Sequence, residues 1–184
     1  MAAEKSTITE QFLRLDELES YSCSDNIIIR GLPEQSAAER ATTASSANER
    51  IAESHETVEK TVIAFLKKSL DIDALPQDIS IAHRLKPGPR ETTRPIIVRF
   101  ANWKMRDMVL RSKNQLNEGS QRVFISEHLT KSASQLFFEA RKMLKEKKIA
   151  GTWTRNGHVM IKWSTDSAPK LVKCNSDLKS TNGR

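Results

Sequence analysis

The sequence predicts an α+β protein with two folded parts. Four short apolar segments and two amphipathic segments alternate in the order β-α-β-β-α-β over residues 25–128, which is the order of a ferredoxin-like fold. An amphipathic segment and an Asn-Gly hairpin signal follow over residues 129–165 and predict a small α/β domain of helix plus hairpin. Residues 1–24 precede both parts as a short helix, and the polar residues 166–184 predict a disordered tail.

The N-terminal helix is predicted over residues 8–20, where Ile8, Leu15 and Leu18 fall near heptad spacing. Fewer than two heptads cannot hold a coiled coil in water, because isolated helices shorter than about 12 residues are marginal. We therefore interpret this segment either as a coiled-coil remnant that mediates self-association or as a frayed or docked N-terminal helix.

The ferredoxin-like part begins with a buried strand at residues 26–32. Residues 33–55 are rich in Ala, Ser, Thr and Glu without a sustained period, which predicts a flexible insertion. A helix is predicted over residues 57–70 because its apolar residues share one face. They are Val58, Val62, Phe65, Leu66 and Leu70.

The same part continues with strands at residues 79–85 and 94–100. A helix over residues 103–116 follows Asn102, whose side chain suits an N-cap, and a fourth strand is predicted at residues 122–127. The apolar face of that helix is expected to consist of Met105, Met108, Val109 and Leu116.

A fourth predicted helix begins the C-terminal domain. Thr130 is a suitable N-cap, and the helix is expected to run to about Ala150. Gly151 would then be its C-terminal stop, because glycine readily adopts the left-handed conformation that ends helices.

The hairpin that follows is predicted by Asn156-Gly157, which lies between alternating apolar and polar residues. Trp153 and Trp163 flank the turn. We interpret both as core residues rather than as platforms for base stacking, since large aromatic side chains are mostly buried against a core.

Charge is distributed unevenly along the chain. The 184 residues include 30 Lys and Arg against 23 Asp and Glu, a net charge of +7. Residues 1–60 hold 12 acidic and six basic residues, whereas residues 61–184 hold 11 acidic and 24 basic residues. Such a basic segment favours an anionic partner, nucleic acid above all, although a lysine-rich solvated surface gives the same count.

Several classes of protein are disfavoured. No apolar run approaches the roughly 18 residues that a membrane span needs, and residues 1–11 lack the apolar region of a secretory signal. Two distant cysteines make neither a disulfide framework nor a zinc site. Without a P-loop, GxGxxG, HExxH or CxxC motif, we expect no enzymatic activity, no cofactor and no metal. The histidines lack ligand spacing; they are His55, His83, His128 and His158.

The strand order is also that of the RNA-recognition motif (RRM), whose two central strands stack bases on aromatic side chains. Here Pro95, Ile97 and Ile28 occupy the positions of those aromatic residues. The stacking platform is therefore missing, and base stacking on this sheet is not expected.

Strand alternation instead predicts arginines on the open face of the sheet. Arg30 and Arg99 fall on neighbouring strands and face away from the helices, with Arg84 near the edge. Guanidinium groups bind phosphates and stack on bases. Alternatively, Arg30 and Arg99 pair with local carboxylates such as that of Glu127.

Further basic residues on the helices and the hairpin are expected to contact phosphates, with a strong salt dependence. On its own, a charged helix face is equally consistent with simple solvation. The candidate nucleic-acid-binding residues are Arg30, Arg84, Arg94, Arg99, Lys104, Arg106, Arg111, Lys113, Arg141, Lys145, Lys148, Arg155 and Lys162.

A resemblance to a known family extends over about residues 8–163. Three segments resemble the first open-reading-frame protein of LINE-type retrotransposons: NIIIRGLPE, RPIIVRFANWKMRDMVLRSKN and VFISEHLT. That protein carries a coiled coil, a non-canonical RRM and a small C-terminal domain. A fourth segment, TWTRNGHVMIKW, resembles the C-terminal domain of baculovirus few-polyhedra (FP) proteins and their retroelement-encoded relatives.

The resemblance implies single-stranded RNA binding with weak sequence preference, trimerisation through the coiled coil, and nucleic-acid chaperone activity within a ribonucleoprotein particle. It also implies that Arg99 contacts RNA, and, as a weaker match, that Arg94 does so.

Taken with the charge pattern, the sequence predicts a non-catalytic single-stranded nucleic-acid-binding protein whose partner is RNA, with single-stranded DNA as the alternative. We expect it in the cytoplasm, in ribonucleoprotein granules, with nuclear access open. The alternative is an FP-like protein-interaction or assembly scaffold whose basic charge is incidental.

Overall fold

The computed structural model describes residues 2–34, 55–89, 91–118 and 123–179. The chain divides into two compact units. The central unit is Asp25–Ser126, and the terminal unit combines Met1–Ser24 with Glu127–Arg184. Most of the predicted insertion, residues 35–54, lies outside the described residues.

The described helices and strands are numbered in chain order. They are α1 (Ala2–Cys23), β1 (Asn26–Arg30), α2 (His55–Leu70), β2 (Ile79–Arg84), β3 (Ile96–Phe100), α3 (Trp103–Ser112), β4 (Phe124–Glu127), α4 (Lys131–Lys145), β5 (Gly151–Arg155), β6 (His158–Lys162), β7 (Lys170–Val172) and α5 (Asn175–Lys179), with 3-10 turns at Pro76–Asp78 and Lys113–Glu118.

The central unit is built on a four-stranded sheet with the strand order β2-β3-β1-β4. Strand β3 pairs antiparallel with both β1 and β2. The register places Ile97 opposite Ile28 on one side and opposite His83 on the other. Mixed helices and antiparallel sheets confirm the predicted α+β class.

The core of the central unit lies between this sheet and α2. Ile27, Ile29 and Val98 are fully buried there, because alternate residues of a strand point to the same side. Each such aliphatic side chain contributes about 1.5–3 kcal/mol relative to exposure. The predicted apolar face of α2 is confirmed, since all its members belong to this core: Val58, Val62, Phe65, Leu66 and Leu70.

The N-terminus of α3 is capped as predicted. The side-chain oxygen of Asn102 accepts the backbone N–H of Lys104 at 2.8 Å, which satisfies one of the unpaired amides of the first turn. The α-helix ends at Ser112, earlier than expected, and Lys113–Glu118 continue as a 3-10 helix.

The predicted apolar face of residues 103–116 is confirmed at Met105, Val109 and Leu116, which belong to the core or pack against it, and it is wrong at Met108. Met108 is exposed, whereas Arg106 and Val109, three residues apart, are buried. Arg106 is only 2% exposed, so the prediction that it lies on a nucleic-acid-binding surface is wrong. The long apolar stem of arginine lets Arg106 occupy an inward-facing position on α3, where a hydrophobic residue is more usual.

The terminal unit packs α4 against a three-stranded sheet in the order β5-β6-β7. Thr130 caps α4 as predicted, because its hydroxyl oxygen accepts the N–H of Ala133 at 3.1 Å. The same hydroxyl donates to a carboxylate oxygen of Asp16 at 2.8 Å. This bond docks α1 within the terminal unit.

The end of α4 does not lie at Gly151. Lys147 adopts a left-handed φ of 57°, its N–H binds the carbonyl of Leu144, and the N–H of Lys148 binds the carbonyl of Met143. This pair of bonds is a Schellman motif. Because a lysine rather than a glycine takes the left-handed position, the sequence rule for helix ends misplaces this one, and Gly151 instead begins β5.

The predicted hairpin is confirmed. Strands β5 and β6 are antiparallel, with Arg155 opposite His158 and the turn at Asn156-Gly157. Both turn residues have positive φ, 52° and 78°, as a type I′ turn requires.

The C-terminal segment differs from the predicted disordered tail. Strand β7 and helix α5 fall within residues 166–184, so the prediction is wrong for these elements. Val172 and Leu178 are buried in the core of the terminal unit. These two apolar side chains are too few and too widely spaced to give a periodic signal, although they suffice to anchor the segment.

Candidate nucleic-acid interface

One face of the central sheet carries the residues that alternate with the core positions of the strands. We call it the open face. Its residues are Asn26, Ile28, Arg30, Ile81, His83, Ile97, Arg99, Phe124 and Ser126. Ile28, which the sequence places outward, lies outside the core cluster but is only 4% exposed. The polar and exposed members of this face therefore determine what it can bind.

Arg30 lies at the end of β1 and is exposed. Its Nε donates to Oε1 of Glu91 at 2.9 Å, and its Nη1 donates to the hydroxyl of Ser126 at 2.9 Å. A guanidinium carries five donor hydrogens, so these two bonds leave part of the group for a ligand. The alternative prediction, that Arg30 pairs with a local carboxylate, is confirmed, with Glu91 rather than Glu127 as the partner.

Arg99 lies opposite Asn26 in the register, on the middle strand β3. Its Nη2 forms an ion pair with Oδ2 of Asp25 at 3.8 Å, a distance too long for a hydrogen bond, so Arg99 too has a local carboxylate partner. Arg30 is four residues from Asn26 along β1, or roughly 13 Å. The two arginines therefore share the open face but are placed for two different phosphates of a strand rather than for one anion.

Arg84 serves the fold. Its guanidinium donates to the backbone carbonyls of Leu32, Pro33 and Arg94 at 2.7–3.0 Å. These bonds fix the segment after β1 against the end of β2, so this arginine is committed to backbone contacts.

Arg94 is bound to Glu34. Two guanidinium nitrogens, Nε and Nη2, donate to Oε2 of Glu34 at 3.0 and 2.9 Å, and the backbone N–H donates to Oε1 at 3.0 Å. These contacts hold the pKa of Glu34 below its ordinary value, with the Arg94 side-chain hydrogen bond as the largest cause and burial opposing it. The structure thus places Arg94 in a local ion pair.

The candidates on and after α3 divide into surface and interior. Lys104 and Arg111 are exposed, and Arg111 pairs with Asp107 at 2.7 Å, one turn earlier. Lys113 is partly buried at the start of the 3-10 turn.

Phe124 is an aromatic residue that the sequence analysis missed. It is 56% exposed on the open face, two residues from Ser126 and with the core residue Ile125 between them. The aromatic side chains of the RNA-recognition motif lie on its two central strands, whereas Phe124 lies on the edge strand β4. The alternation of buried Val123 and Ile125 around Phe124 would have found it.

The remaining candidates belong to the terminal unit. Arg141 lies over the ring of Phe137, 5.8 Å from its centroid, and Lys148 pairs with Glu146 at 2.7 Å. That pairing lowers the pKa of Glu146. The others are exposed or half-buried: Lys145, Arg155 and Lys162. The structure thus divides the predicted set between two separate units.

Across the part of the chain that the structure describes, no group of three His, Cys, Asp or Glu side chains comes together that could hold a metal ion. None of the helices in the same ranges has the length and apolar character to span a membrane.

The terminal unit contains the segment that matches a known family model. Residues 130–182 match the family model of baculovirus FP protein domain 2. The match begins at Thr130, the N-cap of α4, and includes the sheet β5-β6-β7 and α5. It covers fewer than a third of the 184 residues and relates this FP-type segment to FP-type proteins. A search of curated proteins finds no match for the chain.

Proposed function

We propose that the chain is a non-catalytic single-stranded nucleic-acid-binding protein of the retrotransposon type, with RNA as its ligand. In this role it takes part in ribonucleoprotein assembly or acts as a nucleic-acid chaperone. Its place would be the cytoplasm, in ribonucleoprotein granules, with nuclear access.

The observation that carries the proposal is the combination of Arg30, Arg99 and Phe124 on the open face of the central sheet. Two exposed guanidinium groups suit two phosphates of one strand, and an exposed aromatic ring suits a base. A duplex buries its bases within the stack, so a surface of this kind favours a single strand over a duplex.

We propose further that the central unit is RRM-like, with ferredoxin-like topology. The strand order β2-β3-β1-β4 and the helices that follow β1 and β3 support this assignment. The departure from the common motif is the position of the aromatic residue, which is on the edge strand β4.

The proposal is tested by fluorescence anisotropy with a labelled single-stranded RNA of about 25 nucleotides, at several salt concentrations. The variant Arg30→Ala/Arg99→Ala should lose roughly tenfold or more in affinity, and its salt slope should fall by about 1.4, or 0.7 per phosphate contact. Arg14→Ala is the matched control, because Arg14 is an exposed arginine on α1 outside the proposed surface. Unchanged affinity in the double variant, with its circular dichroism intact, would contradict the open-face site.

A second candidate function is a protein-interaction or assembly scaffold, and the match to an FP protein domain favours it. Self-association through residues 8–20 fits either function, since Leu15 and Leu18 are exposed on α1. Sedimentation equilibrium of Leu15→Glu/Leu18→Glu against the parent chain tests that association. RNA binding that is absent even at low salt would favour the scaffold.

A further inference from the structure

In the described part of the terminal unit, α4 covers one face of the sheet, and the other face, here called the uncovered face, carries Trp153, which is 36% exposed. Val159, Ile161 and Val172 join Leu136 and Ala140 of α4 in a hydrophobic core, so these strand residues face the helix. Residues that alternate with these along the strands must face the other way. Met160 is one of them, and it lies opposite Trp153 on β5 and opposite Leu171 on β7, so the three side chains form one row across the sheet.

We call this row the apolar row. With neighbouring strands about 4.8 Å apart, it spans roughly 10 Å across the three strands, enough for a planar ring to lie on it. Trp153 is 36% exposed, and Met160 and Leu171 are half-buried. The interpretation of Trp153 as a core residue is therefore wrong, whereas Trp163 does pack against the core.

A basic side chain lies on each side of the apolar row. Arg155 is two residues from Trp153 on β5, and Lys162 is two residues from Met160 on β6, so both share the uncovered face. Each is roughly 7 Å from the row along its strand. Lys162 also borders Gly151 beside the indole ring, because a Cβ added at Gly151 would meet Trp153 at 3.8 Å and Lys162 at 3.9 Å.

The charge of this face has one sign. The strand sequences GTWTR, HVMIK and KLV contain no acidic residue. An aromatic ring with a cation on either side matches a nucleotide within a single strand, which has a base between two phosphates. A nonpolar protein partner would leave Arg155 and Lys162 without counter-charges.

We propose that the uncovered face of the sheet β5-β6-β7 is a second binding site for single-stranded nucleic acid. Trp153 stacks on an unpaired base, and Arg155 and Lys162 contact the phosphates on either side. The ligand class rests on the proposed function of the chain, while the site itself lies in the other unit and uses none of the open-face residues.

The test compares two 25-nucleotide probes, oligouridine and an oligomer of the same backbone with abasic positions, by anisotropy on the full chain. Trp153→Leu should bind oligouridine about tenfold more weakly, because stacking on one base accounts for a factor of this order. Trp153→Phe should restore most of the affinity, since it keeps an aromatic ring. Trp103→Leu is the matched control, as Trp103 is 52% exposed on α3 of the central unit, and its affinity should not change.

The abasic oligomer should bind Trp153→Leu and the parent chain equally. An equal loss on both probes, or no loss on oligouridine, would overturn the site. A second measurement does not depend on removing the ring: in the Trp103→Phe/Trp163→Phe chain, oligouridine should quench the fluorescence of Trp153. Absence of quenching at saturating RNA would also overturn it.

Failure of this site and failure of the proposed function give different results. If the parent chain binds neither probe, both proposals are overturned. If binding depends on Arg30 and Arg99 but not on Trp153, only the second site is overturned. Quenching of Trp153 by an acidic peptide but not by oligouridine would show a protein-docking face and would likewise exclude the site.

Discussion

The carboxylate of Glu127 holds the turn that contains Gly157. Its Oε2 accepts the N–H of Gly157 at 3.1 Å, and its Oε1 accepts the N–H of Asn156 at 2.9 Å. Glu127 is the last residue of β4 and is buried. The carboxylate thus accepts hydrogen bonds from two adjacent turn amides that are not paired in the β5-β6 ladder. It also links the hairpin to the chain segment that precedes α4.

Glu127→Ala should therefore destabilise the terminal unit by about 2–3 kcal/mol, since it leaves two turn amides without their acceptor. Chemical denaturation followed by circular dichroism measures the loss. Glu127→Gln should recover only part of it, because an amide offers one acceptor oxygen and turns a donor toward the other N–H. Glu19→Ala, an exposed glutamate on α1, is the control and should change stability by less than about 0.5 kcal/mol.

Gly157→Ala should cost at least about 2 kcal/mol for two reasons. Gly157 has a φ of 78°, where side chains are strained, and an added Cβ would lie 2.6 Å from the hydroxyl oxygen of the buried Ser20. Adding Ser20→Gly should return the part due to the contact and leave the part due to φ. Gly151→Ala is the matched control, because a Cβ there makes ordinary contacts of 3.8 and 3.9 Å. Equal thermal midpoints for the two alanine variants would contradict this account.

The sequence predicts best where one residue type has a local reason to be in its place. Asn102, Thr130 and the Asn156-Gly157 turn are of this kind, because caps and type I′ turns depend on the chemistry of one or two side chains. Prediction fails where tertiary contacts override local preference. Lys147 ends a helix in a conformation that glycine prefers, and Arg106 takes an interior position on α3.

The candidate site shows the same division. The alternation of inward and outward residues along a strand can be read from the sequence, and it correctly places Arg30 and Arg99 on one face of the central sheet. It cannot tell that Arg84 and Arg94 are committed to backbone carbonyls and to Glu34, because those partners are 10 to 60 residues away along the chain.

The pair of Glu34 and Arg94 makes stability depend on pH in a defined direction. The pKa of Glu34 is lowered in the folded state, so the unfolded chain takes up a proton first as the pH falls. The stabilisation is complete above the ordinary value of 4.5 and is lost as the pH falls through the folded value. In urea unfolding followed as the pH is lowered from 7, Glu34→Gln should be less stable than the parent chain at neutral pH, and the difference should shrink as the pH falls below 4.5. In an Arg94→Ala background this substitution should have a smaller effect, because only the backbone N–H of residue 94 still donates to Glu34.

Arg106 and Lys104 should respond in opposite ways to replacement by alanine. Arg106→Ala opens a cavity beside Val109 and should lower the free energy of unfolding by about 2–4 kcal/mol, with RNA affinity preserved while the chain stays folded. Lys104→Ala should leave stability within about 0.5 kcal/mol and reduce the salt slope of RNA binding by about 0.7. Thermal denaturation and salt-dependent anisotropy on both variants separate the effects. If Arg106 lay on the RNA-binding surface, Arg106→Ala would instead reduce the salt slope of RNA binding and leave the midpoint of thermal denaturation unchanged.

The order of the C-terminal segment should depend on Asp177. One of its carboxylate oxygens, Oδ2, accepts the backbone N–H of Lys173 at 2.8 Å and of Cys174 at 3.2 Å, and these bonds lower its pKa, the Lys173 bond most of all. Asp177→Ala removes the acceptor from both amides, so β7 and α5 should exchange their amide hydrogens faster while β5 and β6 stay protected. Leu178→Ala should do the same through the loss of a buried side chain, at about 2–3 kcal/mol. Ser176→Ala serves as the control, since Ser176 is exposed on the same helix. Hydrogen exchange in β7 that is as fast in the parent chain as in both variants would contradict the anchoring of this segment by Val172 and Leu178.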